Sequence, residues 1–399
     1  MTSDLALLTG PAAGELITAA LRGSGMDLLG WTATQVDHQP GRGTTVGYSA
    51  RLRRADGSTA DEVLGATSRT LPSPLPRGVV RIGEVGLWRF PNDPDLPGLA
   101  VAADPERMRR VCAGIGWPAD GGVATRVVAY RPRRRAVVRV DTSGGTLYVK
   151  AVRPDRARGL HRRHRVALAA GCPVPPPLGW SEDGLVVLAG LPGRTLRRHI
   201  VRPGADDPLR EPGPLVESIA AALTSLPAEL ATGARRRTWG QKADHYAAVI
   251  AAADPGIGVR AKRVAAAVGH TAPQAPDAAV HGDFYESQLL VAGGVVTGLL
   301  DIDTAGRGER LDDAACLLAH LSVLAEIHPD RADAVGGLGV ALLDRFTAEM
   351  DGVALARRTA AVVLSLATGP HRVQEPNWRA TTAARIALAE RWLDLADAN

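Results

Sequence analysis

HGDFYESQLLVAGGVVTGLLDID, residues 281–303, is the stretch on which the reading of this chain turns. Its two apolar runs, QLLV and VVTGLLDID, flank Ala292-Gly293-Gly294, which predicts two strands joined by a short glycine turn. Such a hairpin brings Gln288, where the first strand starts, close to Asp301, where the second ends. Asp283 follows His281-Gly282 and precedes Gln288 by five residues. One hairpin would then carry a carboxylate able to accept or orient the proton of an attacking hydroxyl, and two hard oxygen donors suited to Mg²⁺. In-line phosphoryl transfer asks for these parts.

Composition sets the frame. At 399 residues the chain is too long for one core, so two or three domains are expected. Apolar content of 45% with 22% charge is that of a globular protein. No apolar run approaches the about 18 residues that a membrane span needs, and the start lacks the basic, then apolar pattern of a secretory signal. A cytoplasmic setting without a membrane partner is expected. Cys112, Cys172 and Cys316 are far apart and in no metal spacing, so buried free thiols are expected. The net charge is +5, carried almost wholly by arginine. The clusters RPRRR (131–135), RRHR (162–165) and RRR (235–237) lack the interleaved aromatic residues that stacking on bases needs, which argues against a nucleic-acid partner.

Three regions separate by pattern, at 1–115, 116–190 and 191–399. The first opens with a helix near 11–22, continues through strand-like runs at 28–36, 44–52, 60–68 and 78–90, and ends in a helix near 105–115. The second is strand-rich, with a basic helix near 156–170 and a proline run at 173–177 that forbids helix. The third reads as helices near 213–232, 241–252, 310–326, 331–350, 353–368 and 379–397, with residues 281–303 as its one strand-like island. PGRGTTVGYSARLRRADGST (40–59) and PRRRAVVRVDTSGGT (132–146) echo each other as strand–turn–strand units. The fold class expected is α+β.

Lysine is rare here: Lys150, Lys242 and Lys262 are the only three. TLYVKAV puts Lys150 on the third strand of the second region, on the opposite face from Leu147 and Val149. A lysine kept in so arginine-biased a chain is a candidate for a task arginine cannot do.

LYVKAV, GLVVLAGLPGRTL, HGDFYESQ, GLLDID and RLDDAACLLAHL together resemble the aminoglycoside phosphotransferase and choline kinase-like superfamily, over about half the chain. The resemblance implies a bilobal protein-kinase-like fold: a small antiparallel sheet lobe, a larger helical lobe and, in residues 1–115, an N-terminal α+β cap. It implies ATP as co-substrate and Mg²⁺ as cofactor. Lys150 would contact the α- and β-phosphates, and backbone at Leu188, Ala189 and Gly190 would hold adenine. Asp283 would be the catalytic base, with Gln288 and Asp301 as metal ligands. His281 and Asp313 would support them; Asp303 would cap the strand or support the metal site. Gln288 stands where the family usually has Asn, and this, with the N-terminal region, points toward the maltokinase and glucosamine kinase branch.

Two departures stand out. Residues 156–181 hold no acid, so the glutamate that normally pairs with the strand lysine is missing, and His164 sits near its place. Lys150 would then pair with Asp301 or with the nucleotide. The phosphate-covering turn is Arg-rich, with Arg133, Arg134 and Arg135 as phosphate contacts or as a solvated turn. The expected acceptor is a small polar hydroxylated molecule, a sugar, amino sugar or aminoglycoside-like compound, met by His371, Arg372, Gln374, Glu375 and Trp378. The alternative is a catalytically weak pseudokinase that serves as a binding module. Nothing in the sequence names the oligomeric state.

Overall fold

The computed structural model describes residues 3–269 and 276–398. The chain divides into two compact units. The first runs to His161 and adds Pro177–Gly190 and His371–Pro376; the second comprises Arg162–Pro176, Leu191–Pro370 and Asn377 onward.

In the first unit, helices α1 (Asp4–Thr9) and α2 (Ala12–Leu21) precede strands β1 (Met26–Gln39), β2 (Gly43–Arg54), β3 (Thr59–Thr67), β4 (Val79–Ile82) and β5 (Val85–Arg89). All pairings are antiparallel, in the order β1-β2-β3-β5-β4. Leu8, Ile17, Val46, Tyr48, Ala50 and Leu52 form the core of this sheet. Helices α3 (Leu99–Ala102) and α4 (Pro105–Gly114) follow; Asp104 caps α4 by accepting from the N–H groups of Glu106 and Arg107.

Next come β6 (Ala124–Arg131), β7 (Arg135–Thr142), β8 (Gly145–Val152), helix α5 (Pro154–Ala169), β9 (Pro177–Trp180) and β10 (Leu185–Ala189). These strands pair as β6-β7-β8-β10-β9, the same order as the first sheet. The echo between 40–59 and 132–146 therefore corresponds to matching places in two sheets. Period-two burial is clean in β7 and in the first half of β8, where Ala136, Val138, Val140, Leu147 and Val149 are sealed from solvent; from Val149 to Val152 both faces of β8 are buried. Lys150 lies on the third strand, as expected.

The first sheet grips the β6–β7 turn. Arg133, in the left-handed region at φ 61°, donates its backbone N–H to the buried Asp93 carboxylate (2.7 Å). Its guanidinium donates to Asp95 (2.9 Å), to Thr67 Oγ1 and to the Thr70 carbonyl. Tyr130 donates to Asp93 (2.8 Å) and accepts from Trp88 Nε1 (2.9 Å), and Gln35 Nε2 donates to the Tyr130 carbonyl (2.8 Å). This corrects one expectation: Arg133 is an internal cross-link, its donors already taken, and not an open phosphate contact.

The second unit contains β11 (Arg194–Thr195), α6 (Leu196–Val201), α7 (Gly213–Thr224), α8 (Ala243–Ala253), α9 (Pro255–Val268), β12 (Ala278–Val280), β13 (Leu289–Ala292), β14 (Val295–Leu299), β15 (Gly306–Gly308) and then α10 (Arg310–Ile327), α11 (Ala332–Thr347), α12 (Gly352–Leu366), α13 (Gly369–Arg372) and α14 (Trp378–Ala398). The strand-like island is thus larger than the sequence suggested. β11 pairs with β13, and β12 pairs with β15. Helix α9 was not foreseen either. It begins with Asp254 accepting from the Ile257 N–H (3.1 Å) and Pro255 in the first turn. Gly258 lets it cross α8 closely, since a Cβ there would lie 2.5 Å from that of Ala251. Among the described residues, no helix is long and apolar enough to cross a membrane. The three cysteines are buried and unbonded to one another, as expected.

Candidate active site

The β13–β14 hairpin forms, with Leu289 opposite Leu299 and a register shift between Leu290 and Val291. At its open end the Leu300 N–H donates to the Gln288 carbonyl (2.7 Å), and the Leu300 carbonyl accepts from His281 Nε2 (2.8 Å). The backbone of one residue therefore joins the Gln288–Asp301 end of the hairpin to the His281–Asp283 turn. His281 Nδ1 accepts from the Asp283 N–H (3.3 Å). With Nδ1 accepting and Nε2 donating, the imidazole is held as the neutral Nε2–H tautomer. The ring thereby ties the backbone of Asp283 to that of Leu300.

Asp313, in the first turn of α10, accepts from the N–H groups of His281 (2.6 Å) and Gly282 (2.7 Å). Complete burial pushes its carboxyl up to about 7, and these two hydrogen bonds oppose the shift. Gly282 has φ 77°, and a Cβ there would lie 2.5 Å from the Arg236 guanidinium carbon. Arg236 itself donates to the carbonyls of Gly282 (3.1 Å) and Thr304 (2.6 Å), and Thr304 Oγ1 donates to the His281 carbonyl (3.0 Å). β12 leads into this turn, β15 follows the 3₁₀ turn Ile302–Thr304, and the pairing of Val280 with Gly306 draws the two turns together.

Because the unfolded chain leaves Asp313 with an ordinary carboxyl, the native state binds its proton more tightly. The stability this group contributes is full below about pH 4, shrinks as pH rises toward 7 and is gone above it. The stability gap between the parent and Asp313→Asn should therefore narrow by a few kcal/mol between pH 4 and pH 8 in urea unfolding. A constant gap would mean that Asp313 titrates in the ordinary range.

Asp301 adopts φ 56°, ψ 46° just before the 3₁₀ turn Ile302–Thr304. A non-glycine residue in the left-handed region is strained and persists where its surroundings fix it, a pattern common at functional sites. Gln288 is only 7% exposed, and among the described residues its side-chain amide makes no hydrogen bond. The hairpin end thus offers an amide oxygen and a carboxylate, hard oxygen donors of the kind Mg²⁺ takes, and few protein ligands suffice for that ion. Gln288 and Asp301 would hold the ion, which when bound would neutralise charge on the phosphate oxygens. Asp303 lies in the 3₁₀ turn, and its carbonyl accepts from Arg163 (3.0 Å).

A second layer was missed from sequence. Arg358 on α12, 1% exposed, pairs with Asp312 (2.6 Å) and Glu309 (3.0 Å) at the start of α10. Arg235 also reaches Glu309 (3.0 Å), and the Trp239 N–H donates to Asp312 (3.3 Å). Burial pushes Asp312 up against the pull of Arg358. These contacts fix the helix turn from which Asp313 holds the His281–Asp283 turn. A lone arginine pair within the apolar run GVALARRTAAVVLSL was the available signal. Lys242 was noted only as a rare lysine; it lies over the Trp239 ring (4.4 Å), and burial first, then Arg236, bring it down to about 8.

In the first unit, β10 pairs with β8, with Leu188 opposite Tyr148 and Ala189 opposite Leu147. The Gly190 N–H donates to the Thr146 carbonyl (2.9 Å), so it is already used. Alternation along an antiparallel ladder then turns the N–H and carbonyl of Ala189 away from β8. The pairing of Leu188 with Pro177 is the last with β9, so Ala189 lies past that strand's end. Arg135 opens β7, opposite Arg131 and Val152.

His164 is buried on α5, with Nδ1 against the Pro175 carbonyl (2.9 Å). The expected acceptor residues are divided. His371, Arg372, Gln374 and Glu375 group with the first unit, and Trp378 begins α14 in the second, under the Arg379 guanidinium (4.4 Å).

Residues 132–348 match the model of the APH phosphotransferase enzyme family. The chain belongs to this family. As a member it is a phosphotransferase with an alcohol group as acceptor, an ATP-dependent small-molecule kinase of protein-kinase-like α+β fold. Among solved structures it is similar to a thermostable mutant of aminoglycoside phosphotransferase APH(4)-Ia, at 16% identity and TM-score 0.48, covering 68% of this chain and 95% of that one. A choline/ethanolamine kinase family protein from Mesorhizobium loti matches at 18% identity and TM-score 0.46, covering 73% and 92%. Aminoglycoside phosphotransferase APH(3'')-Id from Streptomyces rimosus matches at 20% identity and TM-score 0.42, covering 66% and 99%. No curated protein matches the chain.

Proposed function

We propose that this APH-family kinase uses ATP and Mg²⁺ to phosphorylate a hydroxyl of a sugar, amino sugar or aminoglycoside-like acceptor. The observation that carries the reading is the joined hairpin: through Leu300, Asp283, Gln288 and Asp301 sit on one hydrogen-bonded piece of backbone. In-line transfer depends on such positioning more than on covalent chemistry by the protein. Asp283 would orient the acceptor hydroxyl and take its proton as the hydroxyl oxygen bonds the γ-phosphorus and the bond from that phosphorus to the bridging oxygen breaks, releasing ADP. Lys150 and Arg135 would meet the phosphates, and the outward backbone groups of Ala189 would meet adenine. His371, Gln374, Glu375 and Trp378 are the proposed acceptor contacts, with Glu375 suited to an ammonium group.

Calorimetric titration with ATP tests the metal assignment. The parent should bind ATP more tightly with Mg²⁺ than without, and Asp301→Ala should lose most of that difference, about tenfold or more in Kd. Equal Mg²⁺ dependence in the parent and Asp301→Ala would remove Asp301 from the metal site. No ATP binding by the parent would favour the binding-module alternative.

A further inference from the structure

Within the first unit, Gln35, Asp37, Thr45, Gly47, Arg131, Pro132, Arg134 and Arg372 line one recess. Its charge balance is unusual. Asp37 is the carboxylate there, and it is already shared by Arg69 (3.2 Å) and Arg134 (3.2 Å). Burial alone would push Asp37 up, but these two arginines outweigh it and hold it below its ordinary value. Arg131 and Arg372 are left over: among the described residues, neither guanidinium makes a hydrogen bond or an ion pair, and Asp37 offsets the charge of Arg131 only in part. Arg131 is mostly buried, and burial, then Arg372, Arg134 and Arg135, bring it down to about 10. Such crowding of like charge is costly unless something negative compensates it.

We propose that the mouth of this narrow recess is an oxyanion site, at which the exposed Arg372 and Arg134 and the more buried Arg131 grip a phosphate or carboxylate group from the solvent side. Guanidinium forks suit both anions, since each offers paired oxygens at matching spacing. The segment that bears Arg372 also bears the proposed acceptor contacts, so the anion could be a substituent of the acceptor, a free effector or part of the nucleotide. The site does not rest on the kinase reading: a chain that took no ATP would still bind phosphate here.

The test is calorimetric titration of the full chain with inorganic phosphate, and separately with acetate, at low ionic strength. The parent should bind phosphate saturably. Arg372→Gln, an exposed position not expected to disturb folding, and Arg131→Gln should each weaken binding by about ten- to a hundredfold. An unchanged melting temperature for Arg372→Gln keeps the comparison valid if Arg131→Gln folds poorly. Competition by ATP would assign the site to the nucleotide's phosphates, and simultaneous binding would assign it to a second anionic ligand; both uphold it. No phosphate or acetate binding by the parent, or equal binding by the parent and Arg372→Gln, would overturn it.

Discussion

Asp283→Asn is expected to lower kcat by about a hundred- to ten-thousandfold, the usual contribution of a positioned general base. The change is nearly isosteric and leaves the turn's supports in place. The Asp283 contact to His281 is made by backbone, and the turn is held by Asp313 through the N–H groups of His281 and Gly282. KM for ATP and the melting temperature should therefore stay close to those of the parent. Steady-state ADP release, with an acceptor found by screening sugars, amino sugars and aminoglycosides, supplies the measurement. If turnover by Asp283→Asn matched the parent, Asp283 would not be the base.

Arg358→Leu should cost about 3–5 kcal/mol of folding stability, because it strands buried carboxylates without their cation. Glu309 keeps Arg235, but Asp312 keeps the Trp239 N–H and the weaker pull of Lys242. Adding Asp312→Leu should restore part of the loss, since an apolar pair needs no charge compensation. Urea unfolding of the single and double variants decides this. A loss below about 1 kcal/mol would mean that the pair behaves as an exposed ion pair does.

The central hairpin was legible because its information is local. Alternating apolar residues, a glycine turn and polar groups at fixed offsets survive as pattern, and so does Lys150 in an apolar strand. What the sequence hid is long-range or lacks periodicity. β12 and β15 are Ala-Ala-Val and Gly-Arg-Gly, three residues each, too short to show alternation. Helix α9 starts with Asp254-Pro255, a good cap, but two glycines in its first turn masked it. The bonds from Asp313 to the His281–Gly282 turn span more than thirty positions, and no spacing rule marks them. Arg133 misled for the opposite reason. Its cluster reads as open charge, whereas its partners Asp93, Asp95 and Thr70 lie about forty to sixty residues upstream.

That last point changes how the chain's excess positive charge acts at a distance. Arg133 and Arg134 are tied to Asp95 and Asp37, Arg235 to Asp277 and Glu309, and Arg236 to two carbonyls. Arg133, Arg134 and Arg235 are thus internal fastenings with their charge compensated locally, whereas Arg131, Arg162 and Arg165 of the same runs have no carboxylate partner among the described residues. A polyanion would therefore meet an uneven field, weak over the paired arginines and stronger over the unpaired ones, and ionic strength would screen mainly the latter.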